Sequence, residues 1–367
     1  MCECIDTRPS FANDVAAVEQ KSVRNFLTEQ RAENILGSLG SLSILLIGDS
    51  CLDIYWHADM TLSELSRETP HFPLPVVQER FSAGAGANVA ACLCALGVGQ
   101  VKLLTVVGED WRGRELLRVC EQHGMDTSDI IRSSTRISPA YCKPIRKGIS
   151  DVAYEDPRID FDNRSPLQSE IENELIEKLC RIAGEVDAIA VSDQLEHGII
   201  APTVRDTLRK LSEEGKTVVV DSRSRVRLFR GVITTPNDYE CMTALEAEVG
   251  TCSCADQTMS YEDMAQALSK VTGAPVCMTL GPDGSLWASP GKSTRVPGVP
   301  VPPPIDTVGA GDCFLSALTA SLAAGASGVE AASLGNLASA VTIKKLGTTG
   351  TATPGEVIAV LTSLSQQ

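Results

Sequence analysis

Long hydrophobic runs are missing from this sequence: stretches such as Ile44 to Ile47 and Val218 to Val220 have the length of a strand, well short of the roughly 20 residues that cross a bilayer. No membrane partner is expected. An export signal is missing as well, since Glu3 and Asp6 stand where an apolar signal core would be, and the expected location is the cytoplasm. Positive charge is scarce: 32 Lys and Arg against 47 Asp and Glu leave a net charge of −15. Nucleic acid and anionic lipid are therefore disfavoured as the main partner, and an anionic substrate must be held by local cations and backbone amides against the overall field. The 13 cysteines include no C-x-x-C pair, and their closest spacings are C-x-C at 2/4, 92/94 and 252/254. Zinc sites use wider paired spacing, so the thiols read as reduced and mostly buried. Internal repeats and low-complexity tracts are also absent.

What is present is ordinary for a soluble globular protein: 43% hydrophobic and 22% charged residues, in a chain long enough for one large α/β domain or two smaller ones. Residues 1–40 read as a helical extension, because Val15, Val18, Val23, Phe26, Leu27, Ile35 and Leu36 recur at near-helical spacing. Ser43 to Ile47 reads as a buried first strand ending at Gly48 and Asp49, and Val101 to Val107 as a second strand. The region around Pro70, Pro73, Pro75, Val76 and Val77, and the charged stretch from Tyr141 to Asp162, read as a small accessory sheet. From residue 170 helix and strand alternate: helices over 170–183, 201–214, 238–248 and 261–272, strands over 188–192, 217–221, 231–234, 275–279 and 285–288. Two long helices, 312–324 and 329–343, close the pattern. Such alternation implies an α/β fold with a central, mostly parallel sheet covered by helices on both faces.

The stretch Asp306-Thr307-Val308-Gly309-Ala310-Gly311-Asp312 runs directly into an apolar helical pattern. Gly309, Ala310 and Gly311 allow a sharp turn and close approach of a ligand, and amides at a helix mouth favour phosphate oxygens. A carboxylate there, Asp312, repels that anion, which makes sense if it takes a proton from a hydroxyl attacking the phosphate. An acidic residue in the first turn of an ordinary helix is the plainer reading.

Four weaker constellations accompany it. Asn237 and Glu240 follow a strand and open a helix; they can cap it or hold magnesium-bound waters, and the two are compatible. Thr279-Leu280-Gly281-Pro282-Asp283-Gly284 ends a strand with T-x-G-x-x-G, either a turn lying against a nucleotide or a plain strand-to-strand turn. The small-residue helix Ala332 to Ile343, with Gly335 and Asn336, admits an adenine ring or a neighbouring helix. Gly84-Ala85-Gly86-Ala87-Asn88, ahead of an apolar helix, likewise permits a ligand to come close.

Taken in order over roughly residues 42 to 360, these pieces resemble the ribokinase-like, phosphofructokinase-B type sugar kinases, and the motif from Asp306 to Asp312 is the most specific of them. The resemblance implies a ribokinase-like domain over 41–367, with a small β-sheet lid from about 53–82 and 137–162 that often forms a dimer contact. It implies ATP and magnesium, with potassium near the loop. Asp312 would be the base and Gly309 to Gly311 the anion cradle. Asn237 and Glu240 would form the magnesium-water shell; Asp53, Gly84 and Asn88 would hold sugar hydroxyls; Asp306, Thr307 and residues 343–349 would hold potassium. Thr279, Gly281, Gly284 and Asn336 would lie along the nucleotide.

Within the family the likeness is strongest to the kinase portion of D-glycero-D-manno-heptose 7-phosphate kinases. It rests on Gly48-Asp49-Ser50-Cys51-Leu52-Asp53-Ile54-Tyr55-Trp56, Ser66-Arg67-Glu68-Thr69-Pro70, Pro73 to Val77, Arg158 to Phe161 and Lys345 to Thr348. His71 stands where those enzymes have Glu, and Asp221-Ser222-Arg223-Ser224-Arg225 replaces D-P-K-G, which leaves the sugar open. The nucleotidyltransferase signature H-x-G-H is not in the sequence.

The expectation is thus a carbohydrate kinase in which Asp312 deprotonates a hydroxyl of a sugar or sugar phosphate. A phosphorylated acceptor needs cations, and Arg67, Lys143, Arg146, Arg158 and Arg223 are the candidates. A kinase of a free sugar or nucleoside is one alternative; a non-catalytic sugar-binding regulator is another.

Overall fold

The computed structural model describes residues 22–150, 152–249 and 259–364. The expected helical stripe at Val15 and Val18 and the C-x-C pairs at 2/4 and 252/254 lie outside the described residues. The chain enters with α1 (Glu29–Ser38), capped by the Thr28 hydroxyl, and then β1 (Ser43–Gly48), whose side chains are buried on both faces. Next come β2 (Ser50–Asp59), β3 (Val76–Ala85), α2 (Gly86–Ala95), β4 (Gln100–Leu104), β5 (Val106–Gly108) and α3 (Trp111–Gln122). The short strands β6 (Ile131–Ser133), β7 (Ala140–Lys147), β8 (Ala153–Glu155) and β9 (Ile159–Phe161) follow. Helix and strand then alternate as far as β11, with β12 next: α4 (Ser169–Ala183), β10 (Ala188–Asp193), α5 (Pro202–Glu213), β11 (Thr217–Ser222), β12 (Ile233–Thr234). The remainder is α6 (Asp238–Val249), α7 (Tyr261–Thr272), β13 (Val276–Thr279), β14 (Gly284–Ser289), β15 (Lys292–Pro297), α8 (Ala310–Ala323), α9 (Gly328–Thr342) and α10 (Pro354–Ser363).

The main sheet has eight strands in the order β15-β14-β13-β12-β11-β10-β1-β4. It is parallel from β4 to β13, with β14 and β15 added antiparallel at one edge. One apolar core joins α2, α8, α9 and α10 to one face, and a second, built from Leu175, Leu179, Val204, Leu208 and the facing strand residues, covers the other. From β1 the chain runs out to β4 on one side and later returns to β10 on the other, so β1 is the switch point beside which open α/β sheets present ligand groups. Asp49, just past β1, stitches that edge together: its carboxylate accepts from the amides of Gln194, Leu195 and Ile199 at 2.9, 2.7 and 2.8 Å.

A second, five-stranded sheet (β3-β2-β7-β8, with β9 on β7) stands over this edge. β2 follows β1 after the single residue Asp49, so the first strand of the core leads directly into the overhanging sheet.

Two expectations are corrected. The strand read over Val101 to Val107 is broken at Thr105, leaving β4 in the main sheet while β5 pairs with β6 elsewhere. The chain also has a further helix, α10, which starts at a Thr353/Glu356 capping box with Pro354 in its first turn.

Candidate active site

The loop into α8 is held open by its own carboxylate. Asp306 accepts from the amide of Val308 at 3.0 Å and from that of Gly347 at 2.9 Å, tying residues 343–349 to the loop. Gly309 then takes φ +82°, a left-handed conformation that strains any residue with a Cβ, and α8 begins without a side-chain cap. The Ala310 amide bonds back to Thr307 O at 3.2 Å, while the amides of Gly309, Gly311 and Asp312 make no hydrogen bond among the described residues. A Cβ added at Gly311 would meet nothing within 4 Å, so the space above these donors is open. Such an end suits an anion, since its unbonded N–H groups and the positive end of the helix dipole face a cleft.

The cleft has about 1070 Å³ of space, solvent at its mouth included, and runs between the main sheet's carboxyl edge and the second sheet. It brings together Asp312, Gly309, Gly311, Asp53, Gly84, Lys143, Arg158, Asn237, Glu240 and Thr279 among the residues singled out from the sequence, and Arg223 among the candidate cations. Gly84 is fixed by crowding, since a Cβ there would stand 2.6 Å from Cys51 Sγ and 3.0 Å from Asp53 Oδ1. Asp53 Oδ2 accepts from Lys143 Nζ at 3.0 Å, which also donates to the Tyr55 hydroxyl at 3.2 Å. Arg158 grips Asp160 with two bonds of 2.6 and 2.7 Å and stacks 4.2 Å over the Tyr141 ring.

Asn237 and Glu240 form a reciprocal cap on α6. The Asn237 amide donates to Glu240 Oε2 at 2.9 Å, and the Glu240 amide donates to Asn237 Oδ1 at 2.8 Å. The capping alternative is therefore realised, and among the described residues Glu240 Oε1 has no partner. Oxygen donors of this kind, one of them ionisable and both lining the cleft, fit a water-shelled magnesium ion. Among the described residues no group of His, Cys, Asp and Glu has the geometry of an all-protein metal cage.

The remaining expectations fall elsewhere. Asn88 is buried and gives its amide to Asp312 Oδ2 at 2.7 Å. Asn336 is buried and donates to the carbonyl oxygens of Val296 and Pro297, and Gly284 packs its backbone on Gly298. Gly281 and Arg67 do not line the cleft, and Arg146 pairs with Asp156 at 2.8 Å outside it. Thr307 lies in the loop, next to Asp306.

Carboxylates crowd the site, and burial sets their chemistry. Loss of water pushes Asp312 up to about 6; Asn88's hydrogen bond and the charge of Arg223 oppose the rise, and Asp53 adds to it. Burial likewise pushes Asp221 up to about 8, helped by Glu240 and Asp312 and opposed by the 2.7 Å bond from Gln194. Asp53 and Glu240 are also raised, chiefly by burial. Lys143 loses water too, yet Asp53 and Tyr55 hold its ammonium above the usual range. Asp221, Gln194 and Tyr141, to which sequence reasoning gave no role, also line the cleft, as does Thr349 of the segment expected to hold potassium. Their common signal is position: Gln194 and Asp221 lie at the carboxyl ends of β10 and β11.

A family model described as pfkB family carbohydrate kinase matches residues 52–354. Over 341 residues the chain is 31% identical to the bifunctional protein HldE of Trichlorobacter lovleyi, a match that spans 91% of this chain and 66% of that protein. The chain thus spans just under two thirds of the length of that curated relative. In fold it is similar to the ribokinase of Thermotoga maritima (TM-score 0.63, 22% identity, 88% of this chain and 99% of that one). It is likewise similar to phosphofructokinase-2 of Escherichia coli in complex with potassium (TM-score 0.68, 19% identity, 88% and 99%).

Proposed function

Because the chain belongs to the pfkB family of carbohydrate kinases, we propose that its cleft moves the γ-phosphoryl group of ATP to a hydroxyl of a sugar phosphate of the heptose 7-phosphate kind. The fold is ribokinase-like and the protein is a kinase of small carbohydrate acceptors. The observation that carries the finer reading is one carboxylate, Asp312, beside free amides at the uncapped start of α8.

In this mechanism the terminal phosphate of ATP sits on the amides of Gly309, Gly311 and Asp312. Asp312 takes the proton of the acceptor hydroxyl as its oxygen bonds to the γ-phosphorus. The bond from that phosphorus to the bridging oxygen breaks, and its electron pair leaves with ADP. Most of the rate comes from placing the two reactants and spreading charge over fixed donors, with on the order of 10² to 10⁴ from the positioned base. A base near 6 suits this task, being ionised at neutral pH yet basic enough to accept the proton. Asn237 and Glu240 would hold magnesium through water, and the ion would neutralise phosphate charge. Asp306, Thr307 and the 343–349 segment would hold potassium.

Asp53, with Gly84 behind it, is placed to accept from acceptor hydroxyls. Arg223 lines the cleft without an ion pair among the described residues, and we assign it to the acceptor's own phosphate. Lys143 and Arg158 are each bonded to a carboxylate of the protein, which favours the second reading, a free sugar or nucleoside as acceptor. The exposed side chains Phe72, Val76, Val77 and Tyr154 on and beside the overhanging sheet support a homodimer through it. The nine described cysteines, all free thiols, support a cytoplasmic setting. A coupled ADP-release screen over free sugars and sugar phosphates, with Asp312→Asn as the blank, tests the assignment. Turnover confined to phosphorylated acceptors is expected; turnover confined to free ones would transfer it to the second reading.

A further inference from the structure

The segment Lys345-Leu346-Gly347-Thr348-Thr349 is fastened on two sides. Toward the loop into α8, the Gly347 amide donates to Asp306 Oδ2 at 2.9 Å, and Asp306 Oδ1 accepts from the Val308 amide at 3.0 Å. Gly347 takes φ +67° here, a left-handed setting that favours glycine. Toward the overhanging sheet, Arg80 on β3 donates from Nη2 to Gly347 O at 2.6 Å and from Nη1 to the Thr348 hydroxyl at 3.2 Å. The Thr349 hydroxyl adds a bond of 3.4 Å to Ala83 O on the same strand. Gly347 thus gives its carbonyl to Arg80 and its amide to Asp306, and one peptide joins the sheet to the loop. Thr349 also packs on the first donor residue of that loop, since a Cβ at Gly309 would stand 3.7 Å from Thr349 Cα. Arg80 is itself held in place: its guanidinium lies 3.9 Å over the ring of Tyr55 on β2. The Tyr55 hydroxyl accepts from Lys143, which also bonds Asp53, so the fork is seated on the wall that carries Asp53. Among the described residues Arg80 makes no ion pair; its donors go to a carbonyl and a hydroxyl.

We propose that Arg80 is a positioning residue: through Gly347 and Asp306 it ties the overhanging sheet to the loop that carries the anion donors. This rests on the reaction proposed above, in which the acceptor lies against Asp53 of that sheet and the phosphate on the amides of 309–312. The two reactants are then held by different parts of the fold, and a misplacement of about 1 Å between them can cost 10²-fold in rate. A tie that sets both in one register meets that demand. The planar fork of an arginine suits the task, because it stacks on a ring while donating in two fixed directions, which a lysine does not reproduce. The charge of Arg80 also reaches Asp53, so the competing role is purely electrostatic.

The test is amide hydrogen exchange of the full chain without ligands, read by NMR at Gly347 and Val308. In Arg80→Ala both amides are expected to exchange about 10-fold faster or more, the range for a lost charge-assisted hydrogen bond, although Val308 does not touch Arg80. Unchanged exchange at Val308 in the folded variant overturns the proposal. Arg80→Lys keeps a charge near Asp53 and loses the fork, so it is expected to follow the alanine variant; it serves if that variant does not fold. Parental exchange in Arg80→Lys would leave only the electrostatic role and overturn the tie. Kinetics supply the second readout: kcat falls about 10- to 100-fold in Arg80→Ala while the acceptor KM stays within about threefold. In an Asp306→Asn background, where the tie is already cut, the same change is expected to lower kcat little further, and fully additive losses overturn the relay. A raised acceptor KM with unchanged kcat would make Arg80 an acceptor ligand and overturn the proposal. Hydrogen exchange needs no turnover, so it decides the tie even if no acceptor is phosphorylated and the kinase reading fails.

Discussion

Two helices open onto the same cleft and begin in opposite ways. α6 starts with its donors satisfied by the Asn237/Glu240 pair, as α9 does with Ser327/Glu330 and α10 with Thr353/Glu356. α8 starts on a left-handed glycine with donors left over, a residue without a Cβ in its first turn, and a carboxylate held from the side by another helix. Caps contribute roughly 1 kcal/mol each to stability. α2, α4 and α5 also start without a side-chain cap; what sets α8 apart is that its start lines the cleft beside buried carboxylates, which carry a cost in stability.

Filling the open end should have the largest effect. Gly311→Val places a branched side chain in the space above the donors and should lower kcat by about 10² to 10³, the loss seen when an oxyanion donor is removed. Steady-state kinetics check this, and unaltered turnover would mean the amides are not used. Arg223→Ala should raise the KM for a phosphorylated acceptor about 10- to 100-fold, the range for a lost charge-assisted hydrogen bond, while a free-sugar KM stays put. Equal KM values for both acceptor types in the variant would remove Arg223 from the acceptor's phosphate.

Asp221→Asn tests the cost of the open end. Asp221 is raised from 3.8 to about 8 in the folded protein, so between these values the folded state keeps a proton the unfolded chain has lost. Stability therefore falls as pH rises through that window, and the penalty is complete above about 8. The asparagine variant should melt several degrees higher than the parent at pH 9 and close to it at pH 4, as read by thermal unfolding. A pH-independent difference would contradict the buried-charge account. The smallest effect belongs to the closed ends: Ser327→Ala should lower stability by about 1 kcal/mol in denaturant unfolding and leave kcat unchanged. A fall in kcat would show that α9's cap reaches the site.

The strand and helix alternation from β10 onward was legible in the sequence because parallel strands buried on both faces, such as Thr217 to Asp221, form short apolar blocks bounded by amphipathic helices. The start of α8 was legible for a local reason: Gly309 and Gly311 mark a turn, and an apolar helix follows at once. What was not legible is set by long-range packing. Asn88 and Asp312 are 224 residues apart, and nothing near Asn88 indicates that its amide is spent on a carboxylate. Lys143, Arg146 and Arg158 looked like free cations, but each meets an acid, Asp53, Asp156 or Asp160, through strand register or a turn that composition does not encode. Arg67 lies in a proline-rich segment whose course no periodicity describes. α10 had an adequate local signal, Thr353-Pro354 with Glu356, and should have been read.

The most direct measurement is made on Asp312→Asn: ATP affinity by calorimetry and turnover by ADP release, on the same preparation. With the donors of α8 intact and only the base removed, ATP should bind within about threefold of the parent while kcat falls by at least about 10². Near-normal turnover in that variant would contradict the account.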